Sequence, residues 1–232
     1  MTAELRIDEK MCGRYAITHT ELIPGFFEVE DLRIPPRFNV APTQFAPVVF
    51  NDSELQKRIV DFMQWGLVPS WSKDASFGSR MINARAETIV SKPSFRSPFR
   101  YQRCLVPASG FFEWKQTGSG KKPYFFFRTK SPLMGLAGVW DEYTDGDRIL
   151  YTYSIITRAS SPQMSGYHHR MPVTIDQKSF GEWLSADTSV RGALDLLEAD
   201  AGKNFDVHPV STLVNNVRND SPECLRELTI DD

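Results

Sequence analysis

Cysteine is scarce in this sequence, with three residues, Cys12, Cys104 and Cys224, among 232 positions. An odd number of cysteines, none spaced like zinc ligands, argues against both a disulfide framework and a zinc site. At least one thiol must be free, and free thiols are typical of a reducing compartment. We therefore expect a protein that has no metal and no other cofactor.

Long apolar segments and the common nucleotide motifs are absent as well. No apolar run approaches the roughly 20 residues that a membrane-spanning helix needs. Residues 1–10 are polar and lack the apolar centre of a signal peptide, so we expect a cytoplasmic protein with no membrane partner. The sequence contains no Walker loop, dinucleotide fingerprint or Ser-His-Asp motif. This argues against nucleoside triphosphate binding, dinucleotide binding and hydrolysis by a serine nucleophile.

The composition predicts short strands and turns rather than a helix bundle. The chain is 41% apolar and 12% aromatic, and its 15 prolines and 14 glycines are scattered along its length. Neither a repeat nor a linker divides it. We predict one α+β domain over residues 11–232, built on a twisted, barrel-like antiparallel β-sheet with flanking helices and preceded by an extension at residues 1–10.

Hydrophobic periodicity predicts individual elements. Paired strands are predicted at Phe45–Asn51 and Arg58–Trp65, and at Gly135–Tyr143 and Leu150–Thr157 around an Asp145-Gly146 turn. A three-stranded meander is predicted at Arg103–Pro107, Gly110–Lys115 and Tyr124–Arg128. Helices are predicted at Glu21–Val29, Gln177–Leu184 and Val190–Leu197, with Met81–Thr88 opening another.

Charge is unevenly distributed along the chain. The net charge is −2, but the stretch from Arg80 to Lys130 holds eleven basic and two acidic residues, so that it carries +9 and the remainder −11. Such asymmetry is typical of a surface that binds a polyanion. The alternative is a set of solvated strand faces, and the stretch alone does not decide between them.

Cys12 offers two nucleophiles if the residues before it are removed, namely its thiol and the α-amine that it would then carry. An α-amine titrates near 7.7–8.0 and a lysine near 10.4, so about a quarter of such amines are neutral at cytosolic pH. An amine and a thiol this close can capture an aldehyde as an imine and close it to a thiazolidine. The alternative is a small buried hydrophobe.

Three further residues have side chains suited to proton transfer or to holding an amine. Glu113 lies between Phe112 and Trp114, and desolvation there would raise its pKa into the range of acid–base catalysis. His168 is a candidate proton carrier near pH 7, and the Asn83 amide can hold an amine or a hydroxyl by hydrogen bonds. In isolation each has a structural alternative, such as a solvent-facing acid, a surface histidine or a turn residue.

A second group of residues suits contact with nucleic acid. Arg85, two positions after Asn83, can clamp a phosphate bidentately. Trp71 in the Trp65–Trp71 loop and Trp114 could stack on bases, as aromatic residues of single-strand-binding proteins do. Core packing is the alternative for each tryptophan.

Several motifs occur in a characteristic order. They are Met-Cys-Gly-Arg-Tyr from Met11, Arg-Phe-Asn-Val-Ala-Pro-Thr from Arg37, Trp-Gly-Leu-Val-Pro-Ser-Trp from Trp65, Met-Ile-Asn-Ala-Arg-Ala-Glu-Thr from Met81, Cys-Leu-Val-Pro-Ala-Ser-Gly-Phe-Phe-Glu-Trp from Cys104, His-His-Arg-Met-Pro from His168 and His-Pro-Val-Ser from His208. Over residues 11–220 the chain closely resembles the SOS-response-associated peptidase (SRAP) family.

The resemblance implies a sensor of abasic sites in single-stranded DNA. It implies that Cys12 forms a thiazolidine crosslink with the ring-opened sugar, that Asn83 positions the amine, that Glu113 acts as acid and base, and that His168 assists proton transfer. It also implies autoproteolysis that exposes the cysteine. DNA contacts are expected from Arg14, Asn39, Trp71, Arg85, Trp114 and Arg170. We expect a monomer, with replication-fork proteins as further partners.

Two features depart from the family pattern. His169 stands where the family has aspartate, and residues 1–10 precede the cysteine. With an amide at Cys12 no free amine exists, so either translation starts at Met11, which we favour, or the extension is cut off autocatalytically, or the chain is inactive as written. The alternative functions are a cysteine-type peptidase acting on other proteins and a non-catalytic single-strand-binding module.

Overall fold

A computed structural model describes residues 12–118, 120–199 and 205–228. The strands in this part of the chain are β1 (Tyr15–Ile17), β2 (Arg37–Val40), β3 (Phe45–Asp52), β4 (Lys57–Trp65), β5 (Asn83–Arg85), β6 (Arg103–Ala108), β7 (Gly110–Thr117), β8 (Gly120–Phe127), β9 (Met134–Asp145), β10 (Arg148–Ala159), β11 (Arg170–Pro172), β12 (Thr174–Ile175) and β13 (Asp206–Pro209). The α-helices are α1 (Ile23–Phe27), α2 (Pro93–Tyr101), α3 (Phe180–Leu184) and α4 (Val190–Ala199). The proposed extension at residues 1–10 lies outside the described residues.

Five strands close into a small barrel in the order β4, β3, β6, β9 and β10. Four of the five junctions are antiparallel, and β10 closes the barrel by pairing in parallel with β4, where Tyr153 lies beside Trp65. Closure satisfies the strand edges within the barrel. The predicted α+β fold on a barrel-like sheet is therefore confirmed, with a parallel junction in addition.

A second sheet packs against the barrel in the order β13, β8, β7, β1 and β2. Because side chains alternate along a strand, its two faces differ. Phe111 and Phe126 face the main core together with Trp65 and Tyr153, whereas Phe112 lies on the opposite face, under the C-terminal segment. The candidate site forms where the first of these faces meets the barrel.

Two predicted elements are wrong. Met81–Thr88 opens no α-helix: Asn83–Arg85 forms β5, which pairs with β10, and a 3-10 turn follows. The predicted meander is split, because β6 lies in the barrel while β7 and β8 pair in the second sheet. Long-range pairing overrides the local pattern in both cases.

Other elements agree with the sequence pattern. The β3–β4 pair and the β9–β10 hairpin form as predicted, and Gly146 adopts φ +60° in the hairpin turn. Helix α2 was not predicted, although Pro93 at its first turn is a typical start signal. In the described part of the chain, no helix is long and apolar enough to cross a membrane.

Candidate active site

Cys12 lies at the entrance to β1, fully buried, with its backbone nitrogen 3.1 Å from Oε1 of Glu113. The β1–β7 pairing creates this contact, since Tyr15 opposes Phe111 and the strands run antiparallel. The backbone of Cys12 has φ +31°, in the left-handed region that non-glycine residues rarely adopt. The nitrogen that would become an α-amine therefore lies against a carboxyl group, at a strained point of the backbone.

Burial dominates the electrostatics of this pair. Glu113 is 2% exposed, and desolvation raises the pKa of its carboxyl to about 8, although the hydrogen bond from Cys12 and the charge of Lys121 act in the opposite direction. Burial, and to a smaller extent the Glu113 charge, raises the pKa of the Cys12 thiol well above its ordinary value. Near neutral pH the carboxyl is mostly protonated and the thiol is not a thiolate, so the thiol needs a base before it can attack.

Asn83 approaches Cys12 from the barrel. It begins β5, beside Ile155 of β10, and its Nδ2 donates to the Cys12 carbonyl at 3.5 Å. The distance is at the long end for a hydrogen bond. Cys12 is thus held between Glu113 of the second sheet and Asn83 of the barrel.

His168 follows a tight turn that begins at Ser161, and its ring is half-buried. Its Nδ1 lies 3.1 Å from the backbone nitrogen of Arg170 and 3.2 Å from the Arg170 carbonyl. Unprotonated Nδ1 accepts from the amide, and protonated Nδ1 donates to the carbonyl. The same ring position therefore accommodates both neutral tautomers, which suits a residue that gives and takes protons at Nε2.

Arg14 and Asn39, two predicted DNA contacts, hold the C-terminal segment. The buried Asn39 donates through Nδ2 to the carbonyls of Val214, Asn216 and Asn219. Its Oδ1 accepts from Arg14, which also donates to the Val214 carbonyl. These bonds give both residues a structural role, and their contact with DNA stays a prediction.

Arg170, another predicted DNA contact, is 8% exposed and is engaged within the protein. Its guanidinium binds Glu87 bidentately at 2.6 and 2.9 Å and donates to the Thr157 carbonyl at 2.7 Å. The Arg170 hydrogen bond also lowers the pKa of Glu87. Because His168 bonds to the Arg170 backbone, this ion pair fixes the base of the His168 loop.

Trp71 and Arg85 are exposed, as a nucleic-acid contact requires, and Trp71 retains 60% of its accessible surface. The Trp71 loop is tied to the barrel, because the Ser70 amide donates to Asp141 at 3.0 Å. Trp114 is half-buried and its Nε1 donates to Asn215. Trp71 is therefore the predicted stacking residue with the most free surface.

Sequence reasoning missed three residues that shape this region. Asp141 anchors the Trp71 loop, and burial raises the pKa of its carboxyl. Lys121 opposes the rise in the Glu113 pKa, and Tyr167 packs on the strand pair that carries Glu113. Only Tyr167 had a local signal, its place directly before His168. No group of three His, Cys, Asp or Glu suited to a metal occurs among residues 12–118, 120–199 and 205–228.

The closed barrel packs against a second sheet, and Cys12 donates a hydrogen bond to the buried Glu113 where the two sheets meet. These features define a class of protein with a cysteine-centred site between two sheets. The family model for "SOS response associated peptidase (SRAP)" matches residues 11–217, and the chain belongs to this family. The predicted family is therefore confirmed.

Two curated relatives and one solved structure are similar to the chain. Abasic site processing protein HMCES of Gallus gallus is 37% identical over an alignment of 225 residues; the match covers 83% of this chain and 66% of that protein. Abasic site processing protein YoqW of Bacillus subtilis (strain 168) is 35% identical, covering 93% and 99% respectively. A crystal structure of a protein from Bacteroides thetaiotaomicron superposes with TM-score 0.72 at 28% identity, covering 82% and 85% of the two chains.

Proposed function

We propose that this protein processes abasic sites in single-stranded DNA, by joining the ring-opened sugar to the α-amine and thiol of Cys12. The observation that carries the proposal is the 3.1 Å contact between the Cys12 nitrogen and the buried Glu113 carboxyl. The names of the chicken and Bacillus relatives, both abasic site processing proteins, support the substrate class.

The amine must first become free. Translation that starts at Met11, followed by removal of that methionine, would expose it. Alternatively, the chain would cleave itself at the Met11–Cys12 bond by moving the Met11 acyl group from nitrogen to sulfur, after which water would release it. The strained φ of Cys12 lies next to that bond, and relief of this strain would favour the acyl shift.

The first chemical step is attack of the neutral amine on the C1′ aldehyde, which gives a carbinolamine. Glu113, protonated near neutral pH because its pKa is raised to about 8, gives its proton to the carbinolamine hydroxyl, and water leaves. An iminium ion and a Glu113 carboxylate result. His168, able to carry its proton on either ring nitrogen, assists opening of the sugar ring.

The second step closes the ring. The Glu113 carboxylate takes the proton of the Cys12 thiol, and the sulfur adds to C1′ to form a thiazolidine. The carboxyl is then protonated again, so the sequence releases one water and consumes no other reagent. Because amine and thiol belong to one residue, closure is effectively unimolecular. A thiol with a raised pKa is suited to this order, since it does not compete with the amine for the aldehyde.

The test is denaturing gel electrophoresis of abasic single-stranded DNA with protein that begins at Cys12. A heat-stable, slowly migrating adduct is expected. The matched controls are Cys12→Ala and protein that intact mass spectrometry shows to keep residues 1–11 throughout the reaction, so that it has the thiol but lacks the free amine. An adduct of undiminished yield in either control contradicts the mechanism.

The alternative functions give different results in the same experiment. A non-catalytic binding module would hold intact and abasic strands equally well after Cys12→Ser and would form no covalent product. A peptidase acting on other proteins would hydrolyse unrelated peptides without DNA. Strand binding in every case should weaken with added salt, since phosphate contacts release counterions.

A further inference from the structure

Tyr167 joins the His168 loop to the sheet that carries Glu113. Its half-buried ring lies edge-on to Tyr124, with centroids 4.8 Å apart, and to Phe126, at 5.1 Å. Lys115 Nζ lies 4.9 Å from the ring centroid, in cation–π geometry. The three partners belong to β7 and β8, whereas Tyr167 belongs to the segment that leads into β11.

These partners share a face of the strand pair with Glu113. Tyr124 is the cross-strand neighbour of Glu113, and Lys115 lies two residues further along β7, so that the side chains point the same way. Tyr167 therefore rests on the same surface from which Glu113 reaches Cys12. The residue directly after it is His168.

The opposite side of His168 is held by the barrel. Nδ1 of His168 bonds to the Arg170 backbone, and Arg170 begins β11, which pairs with β10. The turn that leads into Tyr167 and His168 is short, because the backbone amides of both residues donate to the Met164 carbonyl. Arg170 thus fixes His168 to the barrel, and Tyr167 fixes it to the second sheet.

We propose that Tyr167 is a positioning residue, which holds the His168 imidazole between the barrel and the second sheet, in the orientation from which it assists proton transfer. This inference rests on the proposed function for its kinetic consequence. Loss of the ring lets the loop move relative to β7 and β8, and a displacement of about 1 Å in a catalytic group can cost a hundredfold in rate.

The experiment compares Tyr167→Leu, Tyr167→Phe, His168→Ala and the Tyr167→Leu/His168→Ala double variant, all beginning at Cys12. We expect Tyr167→Leu to slow adduct formation at saturating abasic DNA about tenfold to a hundredfold, while affinity for an intact strand stays unchanged. Tyr167→Phe keeps the ring and should react like the parent protein. In the His168→Ala background, Tyr167→Leu should cost nothing more, because a residue that acts through another has no effect once that residue is gone.

Three results would overturn the inference. They are an unchanged rate in Tyr167→Leu, a rate loss that adds to that of His168→Ala, and a loss of strand affinity as large as the loss of rate, which would make Tyr167 a DNA contact. Thermal unfolding of each variant shows whether the leucine variant is folded. Tyr167→Phe keeps the ring and should restore the adduct rate that Tyr167→Leu loses.

A readout without DNA separates this inference from the proposed function. The chain has four histidines, so the His168 ring protons can be assigned in NMR spectra from the His168→Ala variant. Tyr167→Leu should shift these resonances and Tyr167→Phe should leave them nearly in place. Unmoved resonances in Tyr167→Leu overturn the positioning role whether or not the parent protein forms an adduct, whereas absence of an adduct in the parent protein contradicts the proposed function alone.

Discussion

The Cys12 nitrogen and the Glu113 carboxyl are 3.1 Å apart, although 101 positions separate the two residues in sequence. In the proposed mechanism this contact brings the nucleophile against its proton donor, and the site is dry enough to raise the Glu113 pKa to about 8. Proton transfer at neutral pH requires a carboxyl that is protonated yet able to ionise, and this burial provides it.

Glu113→Gln should make the protein more stable at high pH. Because the folded-state pKa of Glu113 is raised above its unfolded value, the wild-type carboxyl costs nothing below about pH 4 and destabilises the fold as pH rises towards 8. The glutamine keeps an acceptor for the Cys12 amide and cannot ionise. We expect the variant to gain roughly 4–5 kcal/mol near pH 8, in urea unfolding, and to match wild type near pH 4.

The same variant should lose adduct formation, since it can neither donate nor accept the proton. When a substitution at a destabilised catalytic group raises stability, it typically lowers activity as well. Equal stability of the two proteins at pH 8 would show that the carboxyl is not desolvated as the structure indicates.

Gly13→Val should fold normally but react poorly. A Cβ at Gly13 meets no atom within 4 Å, and its φ lies outside the left-handed region, so the free protein has room for a Cβ at this position. The open space adjoins Cys12, where an attached sugar must lie. We expect unfolding free energies within about 0.5 kcal/mol of wild type and at least tenfold slower adduct formation.

Gly110→Ala is the matched contrast. A Cβ there would lie 2.4 Å from the Phe126 carbonyl oxygen and 2.2 Å from the Phe125 ring, so this smaller substitution should destabilise the fold. If Gly13→Val reacts at the wild-type rate, the space beside Gly13 does not receive the sugar.

The residues of the candidate site could be selected from the sequence because they lie in contiguous motifs. Cys12 begins a strand pattern and Glu113 interrupts an aromatic strand, so each is conspicuous locally. Alternation and the Asp145-Gly146 turn likewise predicted the β9–β10 hairpin. The local pattern does not show which other strand each strand pairs with.

The wrong predictions arise from that missing information. Asn83–Arg85 is a strand because β10, about 70 residues later, offers it an edge, and nothing near Met81 indicates this. A single residue, Ser109, separates β6 from β7, yet the chain changes sheets there. The three carbonyls that accept hydrogen bonds from Asn39 lie 175 to 180 positions away, so the motif around Asn39 could not predict its structural role.

Asp141→Ala should weaken strand binding through the Trp71 loop. The carboxyl accepts from the amides of Ser70 and Glu142, each at 3.0 Å, and Asp141 is buried. Loss of these bonds costs about 1–2 kcal/mol of stability and frees the loop that presents Trp71. We expect intact single strands to bind about threefold to tenfold less tightly in fluorescence anisotropy, with the adduct rate at saturating DNA retained.

Asp141→Asn is the control for this prediction, since its amide retains one oxygen acceptor. It should fall between wild type and Asp141→Ala in affinity. Wild-type affinity in Asp141→Ala would mean that the Trp71 loop either does not depend on this anchor or does not contact the strand.

Glu87→Gln should destabilise the protein by leaving the buried Arg170 guanidinium without its charged partner. Glu87 is half-exposed, so we expect about 1–2 kcal/mol rather than the full cost of an unpaired buried charge. Arg170 lowers the folded-state pKa of Glu87, so the wild-type advantage is present above about pH 4.3 and is lost as pH falls through the lowered pKa. Urea unfolding of both proteins across this range should give curves that converge in acid, and Glu21→Gln, at an exposed acid, serves as the control.

The same variant distinguishes the two roles of Arg170. If the guanidinium is purely structural, Glu87→Gln and wild type should show the same slope of log affinity against log salt concentration for an intact strand. If Arg170 also contacts a phosphate, releasing it from Glu87 should strengthen binding and steepen that slope by about one ion. The 2.6 and 2.9 Å bonds to Glu87 favour an unchanged slope, because the guanidinium–carboxylate pair has no net charge to attract a phosphate.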